Sequence, residues 1–407
     1  MQHVLAHLGA AASVGAQGIA QPCVGHYETQ FPSILCIQNY GAVLPEGFER
    51  TIATTPGHVD TYGSTRVPND STFGLIATAD FLVWDLDHAA NILGPSPSVE
   101  VMFEVGNIPH EGVVYEPDLN IILFSPLRPP PTLLKIDLNQ DPPTLSNLTT
   151  DPPLLGIGAA YHKGLIYYCG SATHSSDYVA GLYALNATSN KVWPIVNNYF
   201  GYNFGTCDDL AVAPNGEIWF TDNWYSYSLP ELHRNNTLHL EPAVYRHDPT
   251  TGRTQVVSDA LLTQPNGIAF APDGRTVYLT DSGADTVSDA DRRLRYVSHL
   301  RRTVYAADVA PDDNGGIGGI SNARAVFLAQ DRVPDGLKVA RSGYVVVATG
   351  SGVDVLDPVG VPVLRVQTDF TVLNVVWAGK ENTDLWMVGY ERVARVKWAL
   401  EGNVLVR

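Results

Sequence analysis

The sequence predicts an all-β protein folded as a six-bladed β-propeller with a metal ion in its central channel. Three observations predict this class: a repeated strand-pair motif, a spacing of about fifty residues between its copies, and a composition suited to short strands. Of the 407 residues, 45% are hydrophobic and only 16% charged, with 36 glycines and 28 prolines. Such a chain can bury a large core, and its glycine and proline favour tight turns over long charged helices.

The net charge restricts the partners. The 42 acidic residues outnumber 25 basic ones, giving a formal charge of -17 at pH 7. This sign disfavours nucleic-acid phosphates and anionic membranes, and no uninterrupted apolar run of about 18 residues could span a bilayer. The expected partner is a small molecule, such as a neutral metabolite, together with a cation. The oligomeric state stays open.

The chain begins with a possible leader. Residues 1–20 resemble a weak secretory signal, although histidine stands where a positive charge is usual. Residues 21–72 form a predicted N-terminal extension, and residues 73–407 the propeller. Sequons, which accept glycans in secreted proteins, occur at Asn69, Asn147, Asn186 and Asn235. Secretion is the expected localisation, with the cytoplasm as the alternative.

The four cysteines show no metal-binding spacing. They are Cys23, Cys36, Cys169 and Cys207, and none forms a C-x-x-C motif. Disulfides in any of three complete pairings, or free buried thiols, agree with the sequence.

Six copies of one strand-pair motif follow along the chain. The clearest reads PNGIAFAPDGRTVYLTDSG, in which a polar pair precedes an apolar run, a Pro-Asp-Gly turn and a second apolar run. Two adjacent strands joined by a turn account for this pattern. The copies begin at Glu111, Ile157, Asp208, Asn266, Asp335 and Leu373. Their irregular spacing matches four-stranded propeller blades with variable loops.

The second halves of several blades are also visible. Hairpins are predicted at residues 181–196, 243–258 and 352–366. The segment before Glu111 is surplus to the six copies, although residues 73–87 read as strands. We expect that segment to close the ring by pairing with the C-terminal strands, because closure hides exposed sheet edges. An unclosed array or a sandwich is the alternative.

The first residues of the copies predict a metal site. Four of them, Glu111, Asp208, Asn266 and Asp335, carry side-chain oxygens. Equivalent positions converge on the channel of a propeller, where three carboxylates repel one another unless a cation neutralises them. Oxygen ligands without His or Cys favour Ca²⁺, with Mg²⁺ or Mn²⁺ as alternatives. Turn formation would explain Asp and Asn but not Glu111. The adjacent Asp209 could replace Asp208 as the ligand.

These motifs resemble a known family. PNGIAFAPDGRTVYLTDSG, with HEGVVYEP before it and VPDGLKV after it, is similar to the gluconolactonase and senescence-marker-protein (regucalcin) family, especially its longer fungal lactonohydrolase-like members. The resemblance covers about residues 100–390. It implies a six-bladed propeller that hydrolyses lactones, with a divalent cation in the channel held by Glu111, Asn266 and Asp335.

The chain departs from the family at one position. The family usually has Asn-Asp where this sequence reads Cys207-Asp208-Asp209, so the third ligand becomes the carboxylate of Asp208. Three carboxylates instead of two should hold the cation more tightly and leave it a weaker Lewis acid.

A lactone is a cyclic ester, so its opening requires an activated water and stabilisation of the developing oxyanion. A cation with open coordination positions provides both functions, and the sequence contains no G-x-S-x-G nucleophile elbow. Asp335 is the first candidate for the general base and Asp209 the second. His162, in the copy that begins at Ile157, is a third candidate because it could point into the channel.

Candidate substrate contacts lie near the channel mouth. They are His110 and, within the aromatic and polar stretch 197–207, Tyr202 and Asn203. Residues 285–302 form a basic insertion, which could be a lid whose arginines attract a carboxylate-bearing substrate, or a solvated loop face. A sugar lactone and an aromatic or polyketide-type lactone both agree with these residues.

Two other functions stay open. The chain also loosely resembles strictosidine-synthase-like propellers, and a channel containing Ile157 and Leu373 could hold an apolar intermediate for condensation or cyclisation. A non-catalytic binding propeller with a structural metal is the other possibility. Chelation discriminates between them, because it should abolish metal-dependent hydrolysis while the fold persists, whereas loss of a structural metal should remove both.

Overall fold

Short elements precede the first copy of the motif. The computed structural model describes residues 19–23, 33–37, 47, 70, 72–171, 179–228, 238–258, 261–288, 291, 293–311, 317–404 and 406. The first elements are strands β1 (Ala20–Pro22) and β2 (Ile34–Ile37), a 3-10 helix (Phe73–Thr78), strand β3 (Phe81–Val83), helix α1 (Leu86–Leu93) and strand β4 (Ser98–Gly106). Helix α1 follows the N-cap Asp85, whose carboxylate accepts a 3.1 Å hydrogen bond from the His88 amide.

Each of the first three motif copies starts a four-stranded antiparallel sheet. The first sheet contains β5 (His110–Glu116), β6 (Ile121–Pro126), β7 (Leu133–Asp137) and β8 (Thr144–Leu148). The second contains β9 (Gly156–His162), β10 (Leu165–Gly170), β11 (Gly181–Asn186) and β12 (Lys191–Val196). The third contains β13 (Leu210–Val212), β14 (Ile218–Asp222), β15 (Ala243–Asp248) and β16 (Arg253–Ser258), with helix α2 (Tyr225–Ser228) after β14.

The remaining sheets are less uniform. The fourth contains β17 (Pro265–Phe270), β18 (Thr276–Asp281), β21 (Thr303–Pro311) and β22 (Ile317–Leu328), and carries a separate hairpin of β19 (Asp285–Val287) and β20 (Leu294–Tyr296). The next has seven strands: β23 (Pro334–Val339), β24 (Val345–Thr349), β25 (Gly352–Leu356), β26 (Pro362–Gln367), then β3, β2 and β1. The last contains β27 (Val372–Ala378), β28 (Asp384–Gly389), β29 (Glu391–Lys397) and β4.

The turn in the fourth sheet shows why the motif folds this way. In the Pro-Asp-Gly turn, Gly274 has φ 68° and donates its amide hydrogen to Ala271 at 2.8 Å. The Asp273 carboxylate accepts from the Arg275 amide at 3.0 Å. Glycine adopts this left-handed conformation without strain, and the turn returns the chain into the adjacent strand. The inner strand β17 is buried along its whole length, whereas the outer strand β16 of the third sheet contains no buried residue.

The innermost strands form a closed ring. Strands β5, β9, β13, β17, β23 and β27 each contact the next, and β27 contacts β5. Strand β4 pairs antiparallel with β29 from Glu391–Gly106 to Lys397–Ser98, so the segment before Glu111 closes the ring as expected. The all-β propeller is confirmed, but its blades are not six alike: five are four-stranded, and the remaining sheet is enlarged because β3 covers the free edge of β26.

Both cysteine pairs are joined. Cys23 is bonded to Cys36, and Cys169 to Cys207. The free-thiol alternative is therefore wrong. The first pair lies in the N-terminal strands that extend the seven-stranded sheet, and the second links the second sheet to the loop that enters the third. Within the described ranges, none of the helices has the length and apolar character of a membrane span.

Candidate active site

The first residues of the six motif copies meet at one end of the channel. They line a single cavity of about 100 Å³. These residues are Glu111, Ile157, Asp208, Asn266, Asp335 and Leu373. The common register predicted from the sequence thus brings the four oxygen-bearing side chains to one cavity.

Glycines beside the first residues allow the inner strands to approach one another. A Cβ atom on Gly267 would lie 2.5 Å from the Asp335 carbonyl oxygen, and one on Gly158 would lie 2.4 Å from that of Asp208. Both distances are shorter than heavy atoms tolerate. The Asn-Gly pair at the start of β17 therefore combines a cavity-lining amide with a position at which the neighbouring strand excludes any side chain.

A Thr-Asp pair in the second strand fixes this end of the third and fourth sheets. Thr221 donates a 2.6 Å hydrogen bond to the carbonyl oxygen of Asn266, and Thr280 donates one of 2.8 Å to that of Asp335. In the following positions, Asp222 and Asp281 each accept hydrogen bonds from three backbone amides of the loops around them. The threonines thus position the backbone of the next candidate ligand, and the aspartates order the loops.

Amide side chains orient the three carboxylates. Asn374 donates to Glu111 at 3.2 Å, and Asn223 donates to Asp208. The Asn266 side chain is the corresponding donor to Asp335. Neutral amides satisfy carboxylate oxygens but leave their negative charges uncompensated.

The electrostatics of the cavity oppose ionisation. Burial, followed by the charges of Asp335 and Asp208, raises the pKa of Glu111 well above its usual value. Burial and the charges of Asp208 and Asp285 do the same to the pKa of Asp335, and burial raises the pKa of Asp208 to about 7. Glu111 and Asp208 are buried, whereas Asp335 is partly exposed to the cavity. Buried carboxylates that repel one another require a counter-charge to ionise together.

The structure separates Asp209 from this group. One Asp209 oxygen accepts the amide hydrogen of Leu210 at 2.8 Å, and the other lies 3.6 Å from the Lys338 ammonium. Burial raises the pKa of Asp209, and the charge of Lys338 opposes that rise. Lys338 borders a second cavity, of about 190 Å³, farther along the channel. The geometry thus favours Asp208 over Asp209 as a ligand and does not support Asp209 as the base.

Neither candidate histidine borders the cavity in the described part of the chain. His162 lies at the opposite end of β9 from Ile157, five residues and roughly 16 Å away at the rise of an extended strand. His110 is buried, and its Nδ1 atom lies 2.9 Å from the Gly389 carbonyl oxygen, which makes Nδ1–H the donor. Burial lowers the pKa of His110, so the ring is a neutral structural contact between the first and last sheets.

The predicted substrate wall is also displaced. Tyr202 is 54% exposed and contacts the His239 ring, with centroids 5.7 Å apart. Asn203 is half-buried and, like Tyr202, is absent from the described cavity lining. Phe204 packs against Phe220 and Tyr245 in the interior. Tyr202 and Asn203 thus lie away from the cavity, whereas Thr206 of the same stretch lines it.

An ion pair that was not predicted from the sequence lies at the cavity. Arg332 contacts one oxygen of Asp285 through Nη2 at 2.8 Å and Nε at 3.2 Å, and both side chains are buried. The other Asp285 oxygen has no hydrogen-bond partner within the described ranges. Arg332 also has φ 41°, a conformation that is costly for a residue with a bulky side chain. Its position three residues before Asp335 was the available signal.

The basic insertion, residues 285–302, contributes to the cavity, but not through arginines as the lid hypothesis expected. Asp285 and Leu294, from the β19–β20 hairpin, line the cavity. Arg295 instead pairs with Asp291 on the surface, and Arg301 donates to the Leu261 carbonyl oxygen. The insertion thus adds a carboxylate and an apolar side chain, and the cavity's arginine comes from outside it.

Comparisons with known proteins agree with this architecture. The SMP-30/gluconolactonase/LRE-like region matches residues 177–390. The lactonohydrolase oryL of Aspergillus oryzae is 40% identical over 399 residues, which cover 95% of this chain and 89% of that protein. The lactonohydrolase oryH of the same organism is 35% identical over 460 residues, covering 97% and 96% respectively.

A solved structure shares the fold at lower identity. A gluconolactonase from Xanthomonas campestris aligns with a TM-score of 0.64 and 20% identity, covering 87% of this chain and 99% of that one. At this identity the similarity concerns the propeller fold and not the residues of the site.

Proposed function

Because the chain belongs to the SMP-30/gluconolactonase/LRE-like family, we propose that it is a hydrolase that opens lactones with the help of a divalent cation in the propeller channel. The observation that carries the proposal is the convergence of Glu111, Asp208, Asn266 and Asp335 on one cavity. In this account the seven-stranded sheet counts as a sixth blade, so that the six innermost strands surround the channel.

The donor set fits a hard cation. Glu111, Asp208 and Asp335 provide three carboxylates, whose pKa values are raised by burial and by neighbouring negative charges. Asn266 provides an amide oxygen. Among the residues that the structure describes, no three His, Cys, Asp or Glu side chains already form a group that holds an ion, so the three carboxylates would close around a cation and would not supply all of its ligands. The amide and water molecules would therefore complete the coordination, as they commonly do for Ca²⁺. Mg²⁺ and Mn²⁺ are the alternatives.

The chain's own residues divide the remaining work. A bound cation would polarise the lactone carbonyl and neutralise the carboxylates. Asp335, the most exposed of the three carboxylates, would accept the proton of the attacking water, and the Asn266 amide orients it. Asn374 and Asn223 hold Glu111 and Asp208 in place. The Arg332–Asp285 pair provides further polar groups in the lining, close enough for both charges to affect the pKa of Asp335.

An assay of acid release from a panel of lactones tests the proposal. The panel runs from gluconolactone to alkyl and aromatic lactones, each with Ca²⁺, Mn²⁺, Mg²⁺ or a chelator. Asp335→Asn should lower kcat by about 10²- to 10⁴-fold, the range for loss of a general base. Asp273→Asn, in an exposed turn of the fourth sheet, is the matched control. Bound stoichiometric metal without turnover of any lactone would refute a hydrolase.

We also propose that the protein is secreted and glycosylated. The two disulfides support export, because such bonds persist in oxidising compartments. Asn147, in one of the sequons, is exposed. Residues 1–18 of the possible leader lie outside the described residues. Mass spectrometry of protein from the culture medium, before and after deglycosylation, tests both points; retention of full-length, unmodified protein inside the cell would contradict them.

A further inference from the structure

The cavity lining has two chemically different sides. We define the apolar sector as five residues that surround the start of β27, β5 and β9: Val372, Leu373, Pro109, Leu127 and Ile157. These three strands are neighbours in the ring, so the sector is one continuous wall. The polar sector comes from the third sheet and comprises Thr206, Tyr225, Ser226 and Ser228.

The polar sector has little capacity to donate hydrogen bonds. Its four hydroxyl groups already donate to backbone carbonyl oxygens: Thr206 to Asn223 at 2.9 Å, Ser226 to Gly205 at 2.7 Å, Ser228 to Tyr225 at 2.7 Å and Tyr225 to Ser282 at 3.1 Å. A hydroxyl has one hydrogen, so these groups can offer a ligand only acceptor positions. The other donor-bearing side chains of the lining are Asn266, Thr371, Tyr390 and Arg332, of which Asn266 is bonded to Asp335 and Arg332 is paired with Asp285. A polyhydroxylated molecule would therefore meet few donors for its many oxygens.

The apolar sector is held in place by packing. Ile157 is 5% exposed and packs with Leu155 and Leu127 in a small cluster beside the channel, while Val372 is fully buried. Leu127 and Leu373 are partly exposed, and both line the cavity. A preformed apolar wall of this kind favours hydrocarbon over water.

We propose that the lactone opened at this site carries a hydrocarbon substituent, with its ring carbonyl at the carboxylate group and the substituent against the apolar sector. The inference rests on the proposed function and specifies its substrate class. A sugar lactone would place hydroxyl groups against this wall, where they lose water without gaining partners. A hydrocarbon chain gains affinity with each methylene it buries.

A series of γ-lactones tests the inference, from γ-butyrolactone to γ-decalactone, with gluconolactone as the polar comparison. We expect kcat/KM to rise by about fourfold per methylene over the first few carbons, the factor that corresponds to burying one methylene. The gain should then level off, because the cavity is small. γ-Lactams of the same chain lengths provide a readout without turnover, and their Kd values, from calorimetry, should fall in parallel.

Matched variants locate the effect. Leu127→Gln should reduce the gain per methylene to about twofold or less, because it removes part of the wall. Leu119→Gln carries the same substitution on the same sheet, at an exposed turn outside the cavity lining, and should keep the wild-type chain-length dependence.

The outcomes separate the two proposals. If the folded, metal-loaded protein hydrolyses none of the lactones, the proposed hydrolase function is contradicted. Metal-dependent hydrolysis with a flat or falling chain-length dependence, or with gluconolactone as the preferred substrate, leaves the hydrolase intact and overturns the hydrocarbon inference. An unchanged dependence in Leu127→Gln also counts against the apolar sector as the binding wall.

Discussion

Two groups of buried carboxylates in this propeller are compensated in opposite ways. In the seven-stranded sheet, the Arg365 guanidinium lies 3.0 Å from Asp354 and 3.5 Å from Asp331, and all three side chains are buried. At the channel cavity, the hydrogen bonds that described side chains donate to Glu111, Asp208 and Asp335 come from neutral amides. Arg332, which pairs with Asp285, opposes the rise in the pKa of Asp335 only in part. Because an unpaired charge is costly in either interior, the difference supports the proposed cation at the cavity.

A closer contrast exists between two consecutive residues. Asp209 is buried beside the ammonium of Lys338, at 3.6 Å, while Asp208 forms no ion pair with any described residue. In the described part of the chain, Lys338 thus compensates the charge of Asp209, whereas the adjacent Asp208 has no such partner. This arrangement agrees with the proposed cation site, since an internal cation at Asp208 would occupy the place of the bound ion.

The largest expected effect concerns the internally compensated group. Arg365→Met should lower the free energy of unfolding by about 3–5 kcal/mol, because it leaves two carboxylates buried without their partner. Urea unfolding followed by circular dichroism measures the loss. The double variant Asp354→Asn with Arg365→Met should recover part of it, and a loss below about 1 kcal/mol for the single variant would contradict the compensation that the structure shows.

Lys338→Met should have the next largest effect. The variant leaves Asp209 buried without its cation, and we expect a loss of about 1–3 kcal/mol in the free energy of unfolding. Adding Asp209→Asn should restore most of that stability if the two charges are coupled. Lys338 lies outside the described cavity lining, so lactone turnover per folded molecule should persist. Loss of turnover in folded Lys338→Met would place this pair in the catalytic machinery.

Asp208→Asn should behave in the opposite way. In chelated protein we expect it to stabilise the fold by about 1–2 kcal/mol, since it removes an uncompensated charge. The folded-state pKa of Asp208, about 7, exceeds the ordinary value of 3.8. Ionisation of Asp208 therefore opposes folding, and the advantage of the variant should grow as the pH rises from about 4 to about 7. Thermal unfolding across this range checks the sign.

The same variant should respond less to metal. A cation at 100 times its Kd stabilises the wild-type fold by about 2.7 kcal/mol, and removal of one carboxylate ligand should reduce that increment. A destabilised chelated variant, or an undiminished response to Ca²⁺, would exclude Asp208 as a ligand.

The smallest effect is expected on the surface. Arg341 and Glu401 form a 2.8 Å ion pair, but both side chains are exposed, at 59% and 43%. Arg341→Ala should change the free energy of unfolding by less than about 1 kcal/mol, because water screens such pairs. A loss comparable to that of Lys338→Met would show that burial does not control the cost of these charges.

The sequence predicted the parts of the site that local patterns encode. All six first residues line one cavity because the strand-turn-strand motif, with its apolar runs and turn residues, fixes their register. Gly267 and Gly336, which follow Asn266 and Asp335, were visible in the sequence. The structure explains them, because a Cβ at either position would collide with the next inner strand.

The parts that were missed depend on distant contacts. Arg332 meets Asp285 across 47 positions of the chain, between an entry loop and an inserted hairpin. The motif predicts that His162 lies on a channel-lining strand, but it does not show that His162 ends β9 while the cavity is at the beginning of that strand. The enlarged sheet arises from β1 to β3, strands of only three or four residues. Residues 73–87 were predicted to be strands, but only Phe81–Val83 forms one, between a 3-10 helix and α1, because an apolar run this short does not distinguish strand from helix.

The most direct test of the central claim is a calcium titration of chelated, metal-free protein, with γ-lactone hydrolysis and bound metal measured on the same samples. The account predicts that activity is absent at the start and rises in proportion to one bound cation per chain, with the increase abolished in Asp335→Asn. Full activity in protein shown to contain no metal would contradict it.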